Sequence, residues 1–351
     1  MFKLLISGTL PKLFLPLLMG CLLNVAIGQE VHLHTVAFYN LENFFDPLDN
    51  PDTFDDDYTP EGRRQWTDSL FQQKTVQLAK VIAQIGRKET QQAPVFLGVA
   101  EAENLSVLQQ LVRHPIIRPY EYEVVHFESP DARGIDVGLL YQKKHFILKK
   151  AKAYALPLVD PRTQRRRSTR DQLVVSGFFA EEELVILVNH WPSRRGGERK
   201  SKPARMAAAR LQQRIIDSIQ RQNAYVKIIS MGDFNDNPTD KSLRLLSTPS
   251  TYRKLFKPLY NPMEILYEKG VGSLAHRNRW HLFDQILLSQ NLHNREEGLF
   301  FLKAGVFNPS FLQTPEGTYR GYPYRNHIRG RVLEGYSDHF PVYVLLAKSI
   351  R

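Results

Sequence analysis

Cysteine is nearly absent from this sequence: of 351 residues only Cys21 is one, and it lies inside the first apolar stretch. Beyond that stretch there can be no disulfide and no thiolate-held metal, so any metal must be bound by oxygen or imidazole. Long hydrophobic runs are missing too. After the N-terminus no segment reaches the ~20 apolar residues that a membrane-spanning helix needs. Acidic excess is also absent: 47 Lys and Arg stand against 36 Asp and Glu, a formal net charge of +11. A surface of that sign favours polyanions, whether nucleic acid, anionic lipid or phosphorylated sugars. What remains is ordinary globular composition, 42% hydrophobic and 24% charged, with no internal repeat and no long linker. The length suits two modest domains or one large α/β unit, and no boundary divides it.

The opening stretch "MFKLLISGTLPKLFLPLLMGCLLNVAIGQE" sets Lys3 and Lys12 ahead of an apolar run and ends in the small residues Ala26 and Gly28. This predicts an export signal over 1–28, cleaved between Gly28 and Gln29, and one domain over 29–351 in the periplasm or outside the cell. A membrane anchor is the weaker reading, because the run contains Pro16 and lacks charged residues on its far side. Acylation of Cys21 is weaker still, since apolar residues follow it. Loss of Lys3 and Lys12 would lower the net charge from +11 by two.

"VHLHTVAFYNLENF" from Val31 reads as a strand whose end carries Asn40. The acidic, proline-rich "DPLDNPDTFDDDYTPEGRRQW" reads as a solvated loop, without the glycine and glutamate spacing of a calcium-binding EF-hand. Phe71, Leu78, Val81, Ile82 and Ile85 recur at helical spacing and Gly86 stops the run. Further strands are expected in "VFLGVAEAEN", around Tyr122 to Phe127, in "DVGLLY", in the hairpin "LVVSGFF"/"LVILVNHW", in "YVKIISMGDFN", in "HLFDQILLS" and in "FPVYVLLA". A second helix starts at Pro203, with Ala208, Leu211, Ile215, Ile216 and Ile219 on one face. Strands outnumber helices and most are apolar enough to be covered, which predicts packed sheets with helices outside.

Many of these strands finish on a group able to bind metal or move protons: Asn40, Glu101, His190, Asp233 with Asn235, Asp284, and Asp338 with His339. One such ending is unremarkable, since Asn and Asp often close strands. A series of them predicts a shared rim.

The segments "YNLEN", "GVAEAEN", "NHWPS", "GDFND", "HLFDQILLS" and "YSDH" resemble, in order and rough spacing, the endonuclease/exonuclease/phosphatase superfamily, over nearly all of 31–348. The resemblance implies a four-layer α/β sandwich with two central, mostly antiparallel sheets flanked by helices, as in deoxyribonuclease I. It implies Mg²⁺, with Mn²⁺ or Ca²⁺ as substitutes, held by Glu101 with Asn40 and Asp338 beside it. By the same resemblance Asp233 and Asn235 orient the attacking water and the phosphate. His339 is the general base or a proton-holding electrostatic partner, with Asp284 behind its ring. His190 resembles a second histidine that contacts the phosphate or assists the leaving oxygen, and Asp136 falls where a carboxylate supports it. Tyr39 stands where the family commonly has Trp, and Glu42 and Glu103 read as supporting or surface groups.

Two basic loops follow, "RTQRRRSTR" at Arg162 to Arg170 and "RRGGERKSKPAR" at Arg194 to Arg205. Arg194, Arg195 and Asn189 are the candidate phosphate contacts, since arginine clamps phosphate oxygens with two parallel hydrogen bonds. The leading expectation is an exported, divalent-metal-dependent nuclease cutting DNA or RNA with little sequence preference, a monomer with no obligate protein partner. The second is a phosphatase or phospholipid phosphodiesterase of the inositol phosphate or sphingomyelin type. "GLFFLKAG" from Gly298 is the best apolar docking segment for a lipid substrate, but it reads more naturally as a buried strand. A binding protein without catalysis would have lost a ligand or the histidine, and every expected position is filled.

Overall fold

The computed structural model describes residues 31–160, 163–249, 257–293, 298–328, 331–332 and 334–349. The expected export signal and its cleavage site lie outside the described residues. Eleven strands form two central sheets: β1 (Val31–Phe44), β2 (Phe96–Ala102), β3 (Tyr122–His126), β4 (Asp136–Gln142), β5 (Phe146–Tyr154), β6 (Gln172–Phe179), β7 (Glu182–His190), β8 (Lys227–Asp233), β9 (Asp284–Leu288), β10 (Leu299–Val306) and β11 (Val342–Ser349). One sheet has the order β10-β11-β1-β2-β4-β3 and the other β9-β8-β7-β6-β5. Each contains one parallel pair, β1 with β2 and β7 with β8, and is otherwise antiparallel.

Strand alternation divides the apolar residues among three cores. Val36 and Phe38 of β1, Ile186 and Val188 of β7, Ile229 and Met231 of β8, and Ile286 and Leu288 of β9 meet between the sheets. Ala37 and Tyr39 face outward to α1 (Asp68–Ile82) and α2 (Leu105–Arg113), which supply Phe71, Leu78, Val81, Leu108 and Leu111. Val185, Leu187 and Ile228 face outward to α3 (Glu198–Gln222), which supplies Ala208, Leu211, Ile215 and Ile216. Helices, sheet, sheet and helix make four layers. Each fully buried aliphatic side chain stabilises by roughly 1.5–3 kcal/mol, so a one-residue slip of any central strand would be strongly unfavourable.

Three expectations need correction. Helix α3 begins at Glu198, not at Pro203, which lies inside it. A proline there costs a backbone hydrogen bond; Ser201 Oγ, donating to the Gly197 carbonyl at 2.8 Å and accepting from Arg205 Nη1 at 2.8 Å, holds the preceding turn. The acidic loop is not simply solvated: Asp46 and Asp55 are buried, and Tyr58 and Trp66 enter the core beneath α1. "GLFFLKAG" is an edge strand, β10, and only half-buried.

Candidate active site

The alternation that builds the inter-sheet core also places the polar strand ends. Continuing the inward positions of β1, β7, β8 and β9 by one step gives Asn40, His190, Asp233 and Asp284, all buried at one rim of the sandwich. In the ladders Asp233 lies opposite His190 on one side and Asp284 on the other.

Glu101 reaches the same rim by a different device. Its neighbour Val99 faces the helices, so plain alternation would turn Glu101 away too. A bulge between Ala100 and Ala102, with Glu101 at φ +61°, re-aims the side chain. Asn40 Nδ2 then donates to Glu101 Oε1 at 3.3 Å and to Asp233 Oδ2 at 3.2 Å, and the Asn43 N–H donates to Glu101 Oε2 at 3.0 Å. Glu42, Asn43 and Asn235 also sit at positive φ, so left-handed backbone clusters where the strands end.

His339 Nδ1 lies 2.6 Å from Asp284 Oδ2, which also accepts from Ser273 Oγ. Ser337 Oγ donates to the Asn40 carbonyl at 2.7 Å and accepts from the His339 N–H at 3.1 Å, tying the "YSDH" turn to the end of β1. Asp233, Asp284 and His339 offer atoms all within 4.8 Å of one another. Burial disfavours charge on His339, but Asp284, Asp338 and Asp233 outweigh it and raise the imidazole well above its ordinary pKa. Burial, with Asp284, raises Asp233. His190 goes the other way: burial, then Arg170 and Arg133, hold it well below the usual range, so its ring is neutral. Its Nε2 lies 3.7 Å from Asp233 Oδ2 and 3.9 Å from Glu101 Oε1. The Asn235 N–H donates to Asp233 Oδ1 at 2.9 Å, while Asn235 Nδ2 is held by the Trp191 carbonyl at 3.0 Å.

The profile of the endonuclease/exonuclease/phosphatase family matches residues 35–348. The chain belongs to that family. It is a metal-dependent hydrolase of phosphoester bonds. No curated protein matches the sequence, but solved structures share the fold. The catalytic domain of human nocturnin with a bound sulfate is 14% identical, with a TM-score of 0.55 over 92% of this chain and 98% of that one. TDP2 of D. rerio in complex with a single-stranded DNA product is 14% identical, TM-score 0.52, over 90% and 98%. A mannosyl-6-phosphatase of Bacteroides thetaiotaomicron is 18% identical, TM-score 0.52, over 89% and 99%.

Family members use a divalent metal, and the donor set here fits a hard cation: Glu101 and Asp338 are carboxylates with partly open side chains at the mouth of the site. Asn40 does not present an oxygen to it. Its Oδ1 accepts from the Glu42 N–H at 3.0 Å, and its amide nitrogen faces the carboxylates. Asp338 instead meets Arg325, whose Nη2 lies 3.0 Å from Asp338 Oδ2 and 3.1 Å from Glu42 Oε1. Glu42 is fully buried rather than at the surface, and burial, then Asp338, raises its carboxyl to about 7. Lys74, buried beneath it, donates to the Glu42 carbonyl. Glu103 is buried too, accepting from the Asp46 N–H at 2.7 Å.

Several expected contacts lie elsewhere. Asn189 has the opposite parity to His190, so it points under α3, where it donates to Ser230 Oγ and the Met231 carbonyl and accepts from the Trp191 indole. No substrate can reach it. Arg194 is occupied by Asp236, Asp240, Glu198 and the Asn235 carbonyl. Arg205 is wholly buried against Asp236, and Arg170 is buried between Asp131 and the Trp191 carbonyl. Arg195 stays exposed on its loop. Asp136 does not support His190, whose Nδ1 has no hydrogen-bond partner among the described residues. Val137, Leu139 and Tyr141 take the inward positions of β4, which turns Asp136 to the other face, beside His126.

The basic groups that do border the site come from loops carrying no motif. A cleft of about 880 Å³ opens at Asp338 and Glu42 and is lined by Arg63, Arg64, Arg277 and Arg325 together with Tyr319 and Tyr322.

Proposed function

We propose that the chain is an exported, Mg²⁺-dependent nuclease that cuts nucleic acid with little sequence preference. One observation carries this reading: the cleft beside Asp338, about 880 Å³, is lined by Tyr319, Tyr322 and four arginines, of which Arg325 pairs with Asp338 and Glu42, Arg63 pairs with Asp57, and Arg64 and Arg277 complete the set. Arginines track phosphates without reading bases, and tyrosine faces take unpaired bases by stacking. A single phosphorylated sugar would fill only part of that volume. The likeness to a structure holding a single-stranded DNA product supports the same substrate class.

In this reading Glu101 and Asp338 hold the ion, which when bound neutralises charge on the nonbridging oxygens. The chain's own groups do the rest. Asp233, fixed by the Asn235 N–H and by Asn40, orients the attacking water. The proton that leaves this water as its oxygen bonds phosphorus enters the Asp233, Asp284 and His339 cluster. Asp284 holds the Nδ1 side of His339, leaving Nε2 for the phosphate. His190, neutral and buried, donates an Nε2–H hydrogen bond to a nonbridging phosphate oxygen, and the bond from phosphorus to the leaving oxygen breaks as the new one forms, that oxygen taking its proton from solvent water.

The second reading, a sugar-phosphate phosphatase, is favoured by the likeness to the mannosyl-6-phosphatase. Purified protein is incubated with plasmid, single-stranded DNA, RNA and mannose 6-phosphate in Mg²⁺. Loss of polymer that chelator stops is expected. Intact polymers alongside released inorganic phosphate would establish the phosphatase instead.

A further inference from the structure

A second cluster lies at the loop end of the β3–β4 hairpin. His126, the last residue of β3, sits opposite Gly138, and Asp136 is two residues further along β4, so their side chains meet diagonally on one face. His126 Nε2 is 3.2 Å from Asp136 Oδ2, with both side chains only 2% exposed. Neither atom has an aligned hydrogen-bond partner. Glu128 stands on the solvent side with its side chain 71% exposed, its Oε1 3.8 Å from His126 Nδ1, the ring nitrogen that does not face Asp136. Together the three residues offer ligand atoms all within 4.8 Å of one another.

We infer that these residues bind a divalent transition ion of the zinc type. Two atoms that face each other at 3.2 Å without an aligned hydrogen bond are spaced as neighbouring ligands of one ion are, given bonds of about 2.0–2.2 Å. Imidazole with two carboxylates selects such ions over Mg²⁺ and Ca²⁺, which take oxygen alone. The supporting contacts are already built. The Ser129 N–H and Oγ both donate to Asp136 Oδ1, fixing the carboxylate so that Oδ2 faces His126. A narrow void of about 10 Å³, bordered by Asp136, Ser129 and Asp171, is the size of one water and leaves room for a further ligand. Asp171 Oδ1 is buried there without a partner.

The ion would fasten the loop between β3 and β4, and that loop bears on the active site. Its Asp131 holds Arg170, and Arg170 holds the Trp191 carbonyl, next to His190. The site is therefore structural, two contacts removed from the reacting groups.

To separate it from the catalytic ion, chelator-treated Glu101→Gln protein is titrated with Zn²⁺ by calorimetry, and with Co²⁺ by visible absorption. At least one Zn²⁺ equivalent should bind, with one fewer in the Glu101→Gln, His126→Ala double variant, where the Co²⁺ spectrum should also lose intensity. Glu128→Gln, at the surface and harmless to folding, should weaken this equivalent about 10-fold. No Zn²⁺ binding, or equal binding with and without the His126 and Glu128 substitutions, would reduce the cluster to an ordinary buried histidine–aspartate pair and overturn the inference.

Discussion

His339 Nδ1 and Asp284 Oδ2 lie 2.6 Å apart, and the two residues come from a turn and a strand 55 positions distant in the chain. The carboxylate fixes which ring nitrogen carries hydrogen toward the core and sets the direction of the other. Asp284→Asn keeps the shape and removes the charge. Turnover should fall by about 10²–10⁴-fold, with KM for polynucleotide nearly unchanged. A variant within about 3-fold of the parent in kcat would remove Asp284 from the mechanism.

The same pair makes stability depend on pH. Its imidazole is raised well above the ordinary value on folding, so the folded chain holds this proton more tightly than the unfolded chain does. That contribution is complete below about pH 6.5, the unfolded value, and disappears as pH climbs through the folded one. Asp284→Asn should remove most of it, since Asp284 is the largest of the three acids that raise the ring. Urea denaturation of chelator-treated protein should therefore show the widest gap between parent and variant near pH 6, closing in alkaline buffer. A gap that stays constant or widens with pH contradicts the assignment.

Glu101 depends on its bulge for position and on its charge for the ion. Glu101→Gln keeps the shape and one of the two acceptor oxygens that Asn40 and Asn43 use, so the fold should survive. The Mg²⁺ concentration for half-maximal activity should rise by at least about 10-fold, the lower end of what loss of even an indirect metal partner costs. An unchanged metal titration would show that the ion sits elsewhere.

Arg205 carries a stability prediction, because it belongs to the basic stretch 194–205 yet lies in α3 and touches no solvent. Its Nε is 2.7 Å from Asp236 Oδ1, and Asp236 also accepts from Arg194 and Ser242. Arg205→Ala removes the one wholly buried cation at Asp236, leaving Arg194 and Ser242 to hold the carboxylate, and should destabilise by about 1.5–3 kcal/mol. The Arg195→Ala control, on an exposed side chain, should shift stability by less than about 0.5 kcal/mol. Equal denaturation midpoints for the two variants would refute the distinction.

Most of the rim was readable because strand alternation is local: once Val36 and Phe38 are inside, Asn40 must be, and once Ile186 and Val188 are inside, His190 must be and Asn189 cannot. Applied to β4, the rule would also have turned Asp136 away from His190. Glu101 breaks the rule, and the bulge that re-aims it has no residue signature of its own. Strand β5 was not foreseen, because Lys149, Lys150 and Lys152 on an exposed edge make it look like a loop; such lysines guard edges against pairing. The arginines separate for a tertiary reason. Charge density marked 162–170 and 194–205, but Asp131 and Asp236, distant in sequence, consume their best-placed members. The cleft arginines occur singly or as a pair and gain meaning only when three loops converge.

That convergence yields the sharpest test of the substrate. Arg277 and Tyr322 line the cleft from different loops, and neither is needed for the rim or the core. If Arg277 neutralises a phosphate, Arg277→Ala should weaken single-stranded DNA binding and lower the slope of log K against log salt by about 0.7, the value for one contact to a single strand. Tyr322→Ala should cost about 1–3 kcal/mol of binding with the slope unchanged, because stacking releases no counterions. Both effects are read by fluorescence anisotropy in Ca²⁺ with Glu101→Gln protein, so that binding is measured without cleavage. If both variants bind as the parent does while hydrolysis of mannose 6-phosphate persists, the cleft is not a nucleic-acid track and the phosphatase reading gains the site.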